Sequence, residues 1–164
     1  MKALLSLAAV FFISFNSHSQ KLKISENGKY LSTEKGEPFF WLGDTAWELI
    51  HRLDRKEVDH YLTTRAAQGF NVIQTVILAE LDGLNTPNAY GHKPLLNNDP
   101  SQLNETYFKQ VDYVINKAKK LGLLVALLPT WGDKFNLKWG QGPVVFTPEN
   151  AEVFGQLLAK KYLK

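Results

Sequence analysis

No cysteine occurs among the 164 residues of this chain. That absence excludes disulfides, thiolate metal sites and a cysteine nucleophile. No apolar run is long enough to span a bilayer comfortably, since about 20 residues are needed and the longest, Ala3–Phe15, falls short. Nucleotide signatures are missing too: neither GxGxxG nor GxxxxGK[ST] follows any apolar run, and no GxSxG elbow surrounds a serine. The chain has little excess charge, +3 overall. Its basic clusters, Lys117, Lys119 and Lys120 and then Lys160, Lys161 and Lys164, fall at expected helix ends, where cations are favourable. A nucleic-acid partner is therefore not expected. Low complexity is absent as well: 45% apolar and 21% charged residues are ordinary globular values.

What is present begins with a leader. Lys2 is basic, Ala3–Phe15 is apolar, and small polar residues follow through Ser19. This is the tripartite pattern of a secretory signal peptide over residues 1–19, cut after Ser19. A secreted or periplasmic location in a Gram-negative envelope follows as an expectation, with no membrane span after cleavage. Removing 19 residues leaves 145, enough for one ordinary domain.

Residues 20–36 read as a β-hairpin, with Asn27-Gly28 supplying the positive φ of a tight turn and a second turn at Gly36. The apolar run Pro38–Leu42 predicts a strand buried on both faces, ended by Gly43-Asp44-Thr45 and followed by a short helix through Trp47, Leu49 and Ile50. Asp54 and Glu57 have capping-box spacing before a stripe of Val58, Tyr61, Leu62 and Ala66 closed by Gly69. A strand over 70–78, a long loop over 79–103, a helix capped by Asn104 and a strand over 123–128 follow. After a second long loop, Thr147-Pro148 starts the last helix, 148–162. Alternating strands and helices with buried strands predict an α/β fold with a parallel sheet. A doubly wound sheet is the alternative architecture, but nothing in the sequence favours it over a (β/α)₈ TIM barrel. A full barrel needs roughly 250 residues and eight units, and residues 37–164 hold about three. The expectation is an incomplete barrel, the N-terminal part of a longer chain.

In a barrel, function sits on the strand-to-helix loops. Those loops carry Trp41, Asp44, Thr45, Trp47 and Glu48; then Glu80, Asp82, Asn85, Asn88 and Tyr90; then Thr130, Trp131, Asp133 and Lys134, with Trp139 further on. Aromatic rings beside carboxylates and amides suit sugars, whose C–H faces stack while hydroxyls need fixed donors and acceptors. Several of these residues also have structural readings: Trp41 in the core, Asp44 as a helix cap, Asp82-Gly83 as a turn, Asp133 as a partner for Lys134. Glu80, Trp131 and Tyr90 have no capping role. His51, His60 and His92 lack ligand spacing, and His51 and His60 are expected on helix surfaces, so no metal or other cofactor is expected. Lys134 could act as a Schiff-base amine in a lyase barrel, although a secretion signal argues against intracellular sugar-phosphate chemistry.

The runs PFFWLGDTAWEL (38–49), RAAQGFNVIQ (65–74), AELDGLNTPNAYG (79–91) and LPTWGDK (128–134) resemble, in order, the apiosidase-like glycoside hydrolases of Bacteroidetes. The resemblance covers residues 22–164. It implies a TIM-barrel catalytic domain acting on pectic side chains of the plant cell wall that carry apiose. It also implies Asp44, Trp47, Glu80, Asn88, Tyr90 and Trp131 as wall or contact residues of a carbohydrate pocket. The catalytic carboxylates of such enzymes are expected on later strands, beyond Lys164. Asp44 and Glu80 could in principle supply a pair instead. The reading is thus a glycoside hydrolase whose present portion is inactive alone; a secreted carbohydrate-binding module without catalysis is the alternative.

Overall fold

A computed structural model describes residues 21–163. The expected leader, 1–19, lies outside the described residues. Two short strands, β1 (Leu22–Ile24) and β2 (Leu31–Thr33), pair antiparallel with Leu22 opposite Thr33. Between them the Asn27 side chain accepts from the Ser25 hydroxyl and the Lys29 amide, and Gly28 takes φ 70°, the conformation glycine adopts without a β-carbon penalty.

The expected strand over 38–42 is not one. Phe40 is 78% exposed, and Trp41 and Leu42 are also exposed; β3 is instead Gly43–Thr45. Trp41 accordingly has no core role, and Asp44 is a strand residue rather than a helix cap. The physical reason lies in Asn71. Its side-chain carbonyl accepts from the Leu42 amide at 2.9 Å and its amide donates to the Phe40 carbonyl at 2.7 Å. One side chain thus takes the place of a ladder partner over Phe40–Leu42, and the segment meets β4 only at its end, where the Leu42 carbonyl accepts from the Asn71 and Val72 amides. Gly43 permits this: a β-carbon there would lie 2.7 Å from Trp41 Nε1.

After α1 (Leu49–Arg52) and α2 (Arg55–Ala67) comes β4 (Val72–Leu78), then α3 (Glu105–Lys120), β5 (Leu124–Thr130), the short α4 (Asp133–Asn136) and α5 (Pro148–Tyr162). The order in the sheet is β3–β4–β5, all parallel, with Asp44 beside Ile73 and Ile73 beside Val125. Because side chains alternate along a strand, this register sends Asp44, Ile73, Ile77, Val125 and Leu127 to one face. There Ile73 and Ile77 pack with Ile50, Val58, Leu62, Phe108, Val111 and Val114 from the helices. Tyr107, fully buried on α3, donates to the Ile77 carbonyl at 2.8 Å.

Local chemistry sets the helix starts. Asp54 and Glu57 form a reciprocal capping box for α2, Asn104 caps α3 through the Thr106 amide, and Thr147 with Asn150 boxes α5 behind Pro148. Gly69 and Gly122, at φ 87° and 75°, end α2 and α3 just before the strands. The face opposite the helices carries Val72, Val76 and Leu78, which are fully buried, beside Thr45, Gln74, Ala126, Leu128 and Thr130, which are not. No described helix is long and apolar enough to cross a membrane.

Candidate carbohydrate site at the strand ends

The C-terminal ends of the three parallel strands release the chain at one edge of the sheet. Trp131 continues the β4–β5 pairing, its amide donating to the Leu78 carbonyl at 3.0 Å. Its indole meets that of Trp47, which follows β3, with ring centroids 5.3 Å apart and planes tilted by 52°. Two residues expected at the site are thereby brought together from distant parts of the sequence. Glu80, two residues after β4, is half-buried, and its carboxylate has no hydrogen-bond partner among the described residues.

Behind Trp47 sits a pair that the sequence reading missed. His51 is only 2% exposed, not a surface residue. Its Nδ1 lies 2.9 Å from Glu48 Oε2 and its Nε2 lies 2.9 Å from the Thr86 carbonyl. A carbonyl can only accept, so Nε2 carries a proton; a carboxylate faces the other nitrogen, so the ring is best satisfied as imidazolium. Burial opposes that charge, but the Glu48 bond, the Thr86 carbonyl and the charge on Glu48 outweigh it, holding His51 above its usual range. Burial likewise opposes ionised Glu48, and the contacts with His51, Leu81 and Arg52 overcome it and lower its titration. Glu48 therefore ties the segment after β3 to the loop after β4. The signal was in the sequence: Glu48 and His51 stand three apart, neighbours on a helical turn.

Asn88 is buried and organises that loop. Its side-chain oxygen accepts from the Tyr90 and His92 amides, both at 3.0 Å, while its Nδ2 is buried without a partner. It floors a groove of about 600 Å³, which is also lined by His51, Arg52, Asp82, Thr86 and Gln141. Trp47, Glu80 and Trp131 do not line this groove. Tyr90, partly exposed, uses its hydroxyl to accept from the Arg55 amide at 2.7 Å, satisfying one of the free N–H groups at the start of α2.

Asp44 is not brought to this edge. The pleat turns it toward α2, where it accepts from the Tyr61 hydroxyl at 2.8 Å and pairs with Arg65. Burial works against its ionisation, and those two partners prevail and lower it; burial and the Asp44 carboxylate push Tyr61 up to about 12, against the opposing pull of Arg65. With its carboxylate occupied on the helix side, Asp44 does not form the carboxylate pair with Glu80 that the sequence allowed. Lys134 is also not an accessible amine: it is wholly buried with its Nζ 2.7 Å from Asp133 Oδ2, where a carbonyl substrate does not reach it. Among the described residues no cluster of three or more acidic or histidine side chains could hold a metal ion.

A family model for the apiosidase-like catalytic domain matches residues 25–164. Among solved structures, one described as a glycoside hydrolase superposes with a TM-score of 0.74 at 33% identity, covering 87% of this chain and 31% of its own. A glycoside hydrolase family 5 protein from Bacteroides vulgatus gives a TM-score of 0.74 at 31% identity, with 87% of this chain and 30% of that chain covered. The chain thus spans about a third of the length of the solved proteins it matches. No curated protein matches it.

Proposed function

The chain belongs to the apiosidase-like catalytic-domain family, and from that membership we propose that it is the N-terminal portion of a secreted glycoside hydrolase acting on apiose-bearing pectic side chains. Residues 1–19 are the leader, 20–36 the hairpin, and 37–164 the first units of a (β/α)₈ barrel whose remaining strands close the open edge of β5. The observation that carries the proposal is the family match over residues 25–164.

The geometry supports a binding role for this portion. The Trp47–Trp131 pair offers aromatic surface to the C–H face of a sugar. Glu80, without an internal partner, is placed to accept from a ring hydroxyl. The Glu48–His51–Thr86 chain holds the wall and the loop after β4 in one arrangement, so little ordering is left to be done when substrate arrives. Glycosidic hydrolysis needs two carboxylates flanking the bond, about 5–5.5 Å apart for retention or 6.5–9.5 Å for inversion. With Asp44 committed to α2, the pair is proposed to come from later strands.

The test is product analysis. The longest natural reading frame containing these residues, incubated with apiose-bearing pectic oligosaccharides, is expected to release sugar. Binding of those oligosaccharides without release would favour the carbohydrate-binding module.

A further inference from the structure

The loop between β5 and α5 holds Trp139 in a way that packing alone does not require. The residue is 77% exposed, yet its backbone lies in the left-handed region at φ 59°, as does that of Leu137 at φ 61°. Bulky residues adopt that region only where their surroundings impose it, and such imposition clusters at functional sites. Here the surroundings are specific. The Trp131 indole N–H donates to the Trp139 carbonyl at 2.6 Å. The Cε3 edge of the Trp139 ring lies over Gly132, 3.6 Å from where a β-carbon would stand.

The root of the loop is clamped as well. Asp133 and Lys134 are both without exposure, and Asp133 Oδ2 accepts from Lys134 Nζ at 2.7 Å and from the Gly142 amide at 2.9 Å. Gly140 approaches the same carboxylate so closely that a β-carbon would lie 2.2 Å from Oδ2. The Lys134 carbonyl in turn accepts from the Val145 and Phe146 amides. Burying an ion pair is costly and seldom adds net stability, and its best-attested use is to specify one arrangement. This pair fixes both limbs of the loop that presents Trp139.

From these contacts we infer that Trp139 is a preformed stacking platform for a sugar unit of the substrate, outside the Trp47–Trp131 pair, with Asp133 and Lys134 as its positioning residues. The inference rests on the glycoside hydrolase reading. A saccharide is the occupant because the exposed indole is continuous with polar, sugar-suited surface: Trp131 joins it to Trp47. Two residues along, Gln141 lines the groove floored by Asn88. The charges of that groove and its backing, His51 and Arg52 against Glu48 and Asp82, balance, which suits a neutral sugar ring.

The experiment uses the longest natural reading frame containing this chain, with apiose-bearing pectic oligosaccharides as the probe, read by tryptophan fluorescence titration, iodide quenching and sugar release. Trp139→Ala is expected to weaken oligosaccharide binding about tenfold, the scale of one lost aromatic contact, with kcat/KM falling mainly through KM. Trp139→Phe is expected to recover most of that loss. In the wild type, iodide is expected to quench a tryptophan that Trp139→Phe removes, and oligosaccharide to protect it. The charge-free double variant Asp133→Asn/Lys134→Met is expected to weaken binding several-fold while Trp139 is retained; should it not fold, the two Trp139 variants decide. Wild-type affinity in Trp139→Ala alongside continued sugar release would overturn this inference and leave the hydrolase reading intact. Loss of an iodide-accessible tryptophan in neither Trp139 variant would overturn it also, since another part of the protein would then cover the ring. A wild type that neither binds nor cleaves the oligosaccharides would overturn the hydrolase reading itself.

Discussion

At the scale of single residues, the site divides into groups with free functionality and groups that are spent internally. Asp44 and Tyr90 show how a motif position can be occupied for architectural reasons: one is bound to Tyr61 and Arg65, the other to the α2 backbone. Glu80 is the contrast. Replacing it in the natural full-length protein, Glu80→Gln, is expected to lower kcat/KM roughly ten- to a hundredfold, the range for one hydrogen bond to a charged group; unchanged steady-state kinetics would remove it from the site. The Glu48–His51 pair makes a pH statement. His51 titrates above its ordinary 6.5 in the folded protein, so its contribution is complete below that value and is lost as pH rises through the higher folded value. Glu48 titrates below its ordinary 4.5, so its contribution is complete above that value and is lost as pH falls through the lower folded value. The stability difference between wild type and His51→Gln should therefore be largest between pH 4.5 and 6.5 and shrink on the alkaline side. Thermal unfolding across pH measures it, and a difference that stays flat into the alkaline range would contradict the assignment of His51 as imidazolium.

At the scale of elements, what was legible in the sequence was what local chemistry decides. Asp54, Asn104 and Thr147 cap the helices at the residues expected, and α5 spans Pro148–Tyr162, starting where its cap and proline imply. Asp54→Ala, which removes the side-chain half of the α2 box and leaves the Asp54 amide donating to Glu57, should cost about 1 kcal/mol; urea denaturation showing no loss would mean that α2 is held by packing alone. The misreadings have one source. Residues 38–42 are apolar on successive positions, a pattern that fits a buried strand, but pattern is blind to a distant side chain such as Asn71 that occupies the segment's backbone groups. His51 was misplaced for the same reason, because its burial depends on the Thr86 carbonyl, 35 residues away. The strand-end tryptophans were legible as a class, since aromatic residues after strands stand out; that Trp47 and Trp131 touch, whereas Asp44 faces the other way, follows only from sheet register and pleat.

At the scale of the whole molecule, three parallel strands carry helices on one face and leave the other only partly covered. All-parallel sheets are ordinarily covered on both faces, and β5 has β4 as its one neighbour among the described strands. The solved glycoside hydrolases that the chain resembles are about three times as long. Those two observations agree with a sheet continued by further strands; under the proposed function such strands bring the reacting carboxylates while this portion supplies sugar contacts. Sugar release from apiose-bearing pectic oligosaccharides, assayed side by side for residues 20–164 and for the longest natural reading frame that contains them, tests this division directly. Release by the longer protein and none by residues 20–164 is the expected result; release by residues 20–164 at a comparable rate would contradict it.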